Sequence, residues 1–224
     1  MSLPLRAAVF IGTILAIIAL AVLPLLTPWF IHAALDAAGS ADRLGLAAAE
    51  VHALSDRTVE ELVLGPGSFE ISDPGGEAFY DAAERGHLGD ARTLLGIFLV
   101  AGGISIAGIG AVLGRRAASR GATWTVVSRA GLITAIVVIV AGVISLVAFD
   151  SLFTLFHRVF FPAGNWSFDP ATQRLVQLYP FTFWQIASAA LGALVFLLGL
   201  GAWLLGRWAA HRPAAGSAPT ATQD

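Results

Sequence analysis

The chain has 224 residues, 57 % hydrophobic and only 12 % charged, with 13 Lys plus Arg against 15 Asp plus Glu for a formal net charge of −2. Its mean hydropathy of +0.78 lies far from the balance of a soluble domain. Every basic residue is Arg, which reads as codon usage, and Cys is absent, which excludes a disulfide framework, a thiolate metal site and a thiol nucleophile.

Met1–Arg6 precede the first of four twenty-residue runs without charge: Ala7–Leu26, Leu94–Leu113, Ala130–Phe149 and Ile186–Leu205. Each is long enough to cross a hydrocarbon core of about 30 Å at roughly 1.5 Å per residue. The first continues through Pro24 and exceeds the roughly 7–15 apolar residues of a cleaved signal, so it is expected to stay as a span. The fold class is therefore an all-α membrane protein of four transmembrane helices. Residues 1–208 form the transmembrane domain, with outer segments 27–93 and 150–185.

After the first span, Ala33–Leu64 is rich in Ala, Leu and Glu and permits helix. Gly65-Pro66-Gly67 breaks it, Phe69–Ile71 suits a short strand, and Asp73-Pro74-Gly75-Gly76 reads as a turn. A helix then restarts at Glu77 and runs through Arg92 into the second span. With the third connection, this segment forms a small cap. In the second span Gly110 and Gly114 keep a Gly-x-x-x-Gly spacing, joined by Gly102, Gly103 and Ala107. Packing inside one chain accounts for them, and the oligomeric state is left open. Gly103-Ile104-Ser105-Ile106-Ala107 lacks the closing Gly and the strand-to-helix turn of a nucleophile elbow.

The second connection, Gly114–Arg129, carries Arg115, Arg116, Arg120 and Arg129 and no acid, and the tail carries Arg207 and Arg212. Short cationic loops stay in the cytoplasm, so both termini are expected inside and the two larger connections outside. Fourteen of the fifteen acids, Asp36 through Asp169, fall in those outer segments. Trp29, Trp124, Trp184, Trp203 and Trp208 lie close to span ends, as interfacial anchors do. The tail, 209–224, is Pro-, Ala- and Thr-rich from Pro213 and is expected to be a disordered cytoplasmic segment. The chain has no internal repeat.

His32, His52 and His211 have no specific partner by spacing and read as solvated or interfacial polar residues. His87 follows Glu84 and precedes Asp90 at intervals of three, so carboxylates and imidazole can meet along a helical stripe. A carboxylate beside an imidazole fixes its tautomer and raises its basicity, as a general base needs. His157 lies on one helical face with Asp150 and Thr154, among Leu152, Phe153, Leu155, Phe156, Phe160 and Phe161. On straight helices His87 stands roughly 10 Å and His157 roughly 12 Å beyond the uncharged runs. Two imidazoles thus reach similar heights on one side, although either could equally be an interfacial residue bonding its own helix. Glu84-x-x-His87 is half of a di-iron pattern whose second Glu-x-x-His is missing, so no metal site is expected.

Two stretches carry a resemblance. Glu84-x-x-His87-x-x-Asp90-Ala91-Arg92 stands ahead of the second span. Phe156-His157-x-x-Phe160-Phe161-x-x-Gly164-Asn165-Trp166-x-Phe168-Asp169-Pro170, followed by Leu178-Tyr179-Pro180, stands ahead of the fourth. Together they resemble the family of four-span bacterial membrane proteins that includes the lipoprotein intramolecular transacylase. The likeness covers the chain to about Trp208, with Ala91 where Val is expected.

The resemblance implies a reaction in which the sn-2 acyl chain of a lipoprotein's diacylglyceryl-cysteine moves to the cysteine α-amine, giving a lyso-form lipoprotein. It implies His87 and His157 as the catalytic pair, with no cofactor, and diacylglyceryl-modified lipoproteins and membrane lipid as partners. Glu84, Asp90, Arg92, Asp150, Arg158, Asn165 and Trp166 are expected to support the pair; Arg92 and Arg158 read first as ion-pair or interfacial residues, with facing a developing oxyanion as the second reading. No nucleic acid is expected as a partner, and the location is the bacterial cytoplasmic membrane with the site on its outer face. A substrate that brings its own amine explains how an enzyme can lack a protein nucleophile. The competing functions are a non-catalytic envelope protein, acting as scaffold or lipid binder, and a lipid ester hydrolase using water.

Overall fold

The computed structural model describes residues 1–115 and 120–211. Its helices are α1 (Leu3–Leu25), α2 (Pro28–Ala38), α3 (Ser40–Leu44), α4 (Ala48–Val63), α5 (Ala82–Arg115), α6 (Arg120–Phe160), α7 (Arg174–Leu178) and α8 (Phe181–Ala210). Four of them, α1, α5, α6 and α8, are long and apolar enough to cross a membrane. At 34 and 41 residues, α5 and α6 measure about 50 and 60 Å, well beyond the roughly 30 Å hydrocarbon core. Both therefore project at the end of the bundle that carries α2, α3, α4 and α7. His87 and His157 sit on these projections, outside the uncharged runs.

Inside the bundle the packing uses small residues. A Cβ at Gly131 of α6 would lie 2.5 Å from the Gly199 carbonyl of α8, and one at Gly206 would lie 2.8 Å from the Ser128 backbone nitrogen. The missing side chains bring the two backbones together, and Ser128 Oγ donates to the Trp203 carbonyl at 3.0 Å across the seam. On α5 the residue that packs is Gly102, against Ala19 of α1. Gly110 and Gly114 face open space instead of a neighbouring helix, so the expected role of their Gly-x-x-x-Gly spacing in packing within the chain is not the observed one.

The cap departs from the sequence expectation at its breaks. Ala33–Leu64 holds the end of α2 and two further helices, because the chain turns at Gly39 and again over Gly45-Leu46-Ala47. Phe69–Ile71 is not a strand: a single antiparallel bridge joins Ser72 to Ala78 around the Asp73–Gly76 turn. The next helix starts at Ala82 rather than Glu77, because residues 77–79 return along that turn and Phe79 N–H donates to the Ile71 carbonyl at 2.8 Å. Of the second connection, Arg120–Arg129 is already helical, and Arg120 Nε donates to the Leu113 carbonyl at the end of α5. Arg116, Ser119 and the tail from Arg212, including the segment expected to be disordered, lie outside the described residues.

Candidate active site

The first turn of α5 is built by a reciprocal cap. Asp81 N–H donates to Glu84 Oε2 at 2.7 Å, and Glu84 N–H donates to Asp81 Oδ1 at 2.8 Å. Glu84 is 1 % exposed, and its other oxygen accepts the Leu175 N–H of α7 at 2.7 Å. The residue expected to tune His87 therefore clamps α7 to the start of α5. α7 is held twice more: Ser40 Oγ donates to the Leu178 carbonyl at 2.8 Å, and the Tyr179 hydroxyl bonds Ser55 at 2.9 Å. Arg92, two turns along, donates to the Glu61 carbonyl near the end of α4. Its guanidinium thus ties α5 to the cap.

α6 carries His157 past a kink at Ala148 (φ −137°, ψ 29°). His157 is buried, and its Nδ1 lies 2.8 Å from the Phe153 carbonyl one turn earlier. A carbonyl only accepts, so Nδ1 carries the proton and Nε2 keeps its lone pair. The helix ends at Phe160, and the next three residues turn back, closed by Gly164 N–H on the Phe161 carbonyl at 3.1 Å. Gly164 has φ +78°, a left-handed conformation that L side chains adopt at a cost. The turn delivers Asn165, whose Nδ2 donates to Asp90 Oδ2 at 2.8 Å and ties the loop to α5. Asp169 then caps its own turn by accepting the Ala171 N–H at 2.9 Å.

These elements bring the two imidazoles together across seventy residues of sequence: the rings are 6.0 Å apart, centroid to centroid, at 27°. Phe161 lies against both, 4.7 Å from His87 and 5.5 Å from His157. Phe168 meets His87 edge-on at 5.6 Å, and Trp166 and Phe153 flank His157 at 5.1 and 4.2 Å. Burial in this aromatic box disfavours the charged imidazolium. It holds His87 down at about 4; the neighbouring His157 pushes the same way and Asp90 opposes. His157 is also lowered by burial, against the opposing effect of its bond to Phe153. Both imidazoles are neutral at pH 7, and protonating one disfavours protonating the other. The charge of a protonated His157 therefore opposes adding a second proton at His87.

Neither Glu84 nor Asp90 bonds the His87 ring, and His87 Nδ1 is buried without a hydrogen-bond partner, as is Asn165 Oδ1. Asp150 and Arg158 are exposed on α6, and no side-chain hydrogen bond or ion pair joins either to another described residue. Among the described residues no group of three or more His, Asp or Glu could hold a metal ion.

Sequence reading missed a second histidine pair. His32 and His52 stack at 4.1 Å with planes 2° apart, between α2 and α4. Each donates Nε2–H across to the other helix, His32 to Asp56 and His52 to Asp36, both at 2.8 Å. The signal was present as a repeated His-x-x-x-Asp spacing, but only the packing of the helices reveals that the bonds cross. This box staples the cap.

The fold and family are known from comparison. The chain superimposes on the membrane-integral lipoprotein intramolecular transacylase Lit of Bacillus cereus with a TM-score of 0.73, at 18 % identity, over 91 % of this chain and 93 % of that one. Structures of histidine-to-arginine and histidine-to-alanine variants of that protein match with TM-scores of 0.67 and 0.65, again at 18 % identity. Each comparison covers 91 % of this chain, with 89 % of the arginine variant and 91 % of the alanine variant. No curated protein matches the sequence. The model of the family described as lipoprotein intramolecular transacylase Lit matches residues 7–184, more than half of the chain. The chain belongs to the lipoprotein intramolecular transacylase family.

Proposed function

We propose that His87 and His157 carry the proton in this family's reaction. The sn-2 acyl chain of a lipoprotein's diacylglyceryl-cysteine is transferred to that cysteine's α-amine. The observation that carries the proposal is the 6.0 Å pairing of two imidazoles in an aromatic box, one with Nδ1 committed to a carbonyl and Nε2 bare.

The neutral amine attacks the ester carbonyl, forming the N–acyl bond and breaking the bond between the acyl carbon and the sn-2 oxygen. One N–H proton must leave nitrogen and one must arrive at oxygen. His157 Nε2 takes it, and the pair returns it to the leaving oxygen. This balances the reaction without a protein nucleophile. Amine and ester belong to one molecule, so holding them in attack geometry supplies much of the rate. The phenyl and indole walls exclude water, which would otherwise compete for the ester. We further propose that the site faces the outer side of the bacterial cytoplasmic membrane, with both termini inside. Its partners are diacylglyceryl-modified lipoproteins, whose acyl chains stay in membrane lipid. An outside-active reporter fused after Gly75 should then be active, and the same reporter fused after Ser119 silent.

The decisive experiment is mass spectrometry of the N-terminal lipopeptide after co-expression with a diacylglyceryl-modified client in a host lacking N-acylation. The intact mass should stay constant while fragmentation changes from a diacylglyceryl loss to an N-acyl ion. Loss of one acyl mass would mean hydrolysis, and an unchanged spectrum across several clients would end the transacylase reading.

A further inference from the structure

Two buried polar atoms at the site have no partner, His87 Nδ1 and Asn165 Oδ1. Asn165 bonds Asp90 directly, and Asp90 lies one helical turn beyond His87, close enough for its charge to act on the ring. A carboxylate accepts and never donates, so the Asn165 NH₂ must face Asp90 and its carbonyl oxygen must point away. What remains is one atom that can only accept and one ring nitrogen that can donate. Left apart, each bears the desolvation cost of an unmade hydrogen bond.

We propose that Asn165 is a positioning residue for His87: in the assembled site its Oδ1 accepts the Nδ1–H of His87. Asp90, Asn165 and His87 then form a relay that leaves Nε2 of His87 bare toward His157. The assignment rests on the proton-transfer role given to His87 above. It supplies the tautomer control expected of a carboxylate, with an amide in between. A carboxylate against the ring would favour the imidazolium, whereas a neutral amide holds the tautomer without bringing charge to it. Both imidazoles then present the same unprotonated nitrogen, as sharing a single proton requires. The groups facing His87 are His157, Asp90, Phe161 and Phe168, so no other charge competes for this role among the described residues.

The test is ¹⁵N NMR of the ring-labelled full chain in micelles, with the His87 signals assigned by their loss in His87→Gln. The wild type should show the proton on Nδ1. Asn165→Leu should move it toward Nε2 and lower kcat about 10- to 100-fold with KM little changed, a share of what general acid–base transfer is worth. The swap Asp90→Asn with Asn165→Asp restores a donor–acceptor pair and an oxygen toward Nδ1, so it should recover the tautomer, while the carboxylate now against the ring raises the His87 pKa. A wild-type proton on Nε2 would overturn the relay even if every variant misfolded, as would an Asn165→Leu enzyme with unchanged tautomer and kcat. The tautomer is read without substrate. If it follows Asn165 while the lipopeptide test fails, the transacylase reading falls and the relay stands.

Discussion

The cap and the bundle are built from one chain on opposite rules. In the cap, Leu35, Val51, Phe69 and Leu178 are each 1 % exposed or less within one continuous core. In the bundle, Leu146 and Val147 are 84 % and 88 % exposed, and the interhelical core around Ile17, Ala21 and Val195 is small. Water drives the first arrangement, since each fully buried Leu or Phe contributes about 1.5–3 kcal/mol. In lipid that drive vanishes, and close backbone approach at Gly131, Gly199 and Gly206 takes its place. The site lies at the join. α5 and α6 continue from the bundle into the cap and carry one histidine each, and cap-side hydrogen bonds at Glu84, Asp90 and Arg92 set the height and rotation of α5.

The comparison breaks most sharply at the histidines. His87→Ala and His157→Ala should each lower turnover by about 10²–10⁴, with normal membrane insertion. The double variant should be hardly worse than either single one, because the two residues serve one proton transfer. Additive losses in lipopeptide kinetics would place them in separate steps.

The next effect is on pH dependence. The substrate's α-amine has an ordinary pKa of about 7.7–8.0. The folded-state pKa of each imidazole lies below 6.5, that of His87 at about 4. Lowering the pH therefore removes the nucleophile first and the bases later. Over the range in which both imidazoles are neutral, kcat/KM should climb about tenfold per pH unit through the fraction of neutral amine. A climb of about a hundredfold per unit setting in below pH 6.5 would mean that the box does not hold the imidazoles down.

Smaller is the stability contrast, which uses one chemical change in two solvents. Leu178→Ala in the cap should cost about 2–5 kcal/mol of unfolding free energy in detergent. Leu146→Ala, on the lipid face of α6, should stay within about 0.5 kcal/mol. Equal losses would show that the two regions share one kind of core.

Much was legible in the sequence because it depends on near neighbours. An uncharged run of twenty residues is a span whatever it packs against, and the dense aromatic run around His157 marks an apolar environment wherever it folds. The Asp81-x-x-Glu84 cap is equally local, although the expected start at Glu77 passed over it. It places the start of α5 five residues beyond Glu77, and it accounts for one of the two Glu84 oxygens before any neighbour is known.

The rest depended on contacts that no spacing encodes. Glu84 also binds α7 ninety-one residues away, and Asp90 meets Asn165 seventy-five residues on. Their proximity to His87 along the helix stripe was real, but their hydrogen bonds belong to other elements. Arg92 likewise follows a carbonyl of α4. A carboxylate or guanidinium near the membrane takes whichever donor or acceptor packing brings within about 3 Å, and the sequence shows only which groups need one. The sequence by itself therefore determined the number of spans and the presence of two imidazoles at one height. Tertiary structure alone decided that they meet, in which tautomer His157 is held, and how dry the space around them is. Those properties arise from helix ends and a loop brought together from distant parts of the chain.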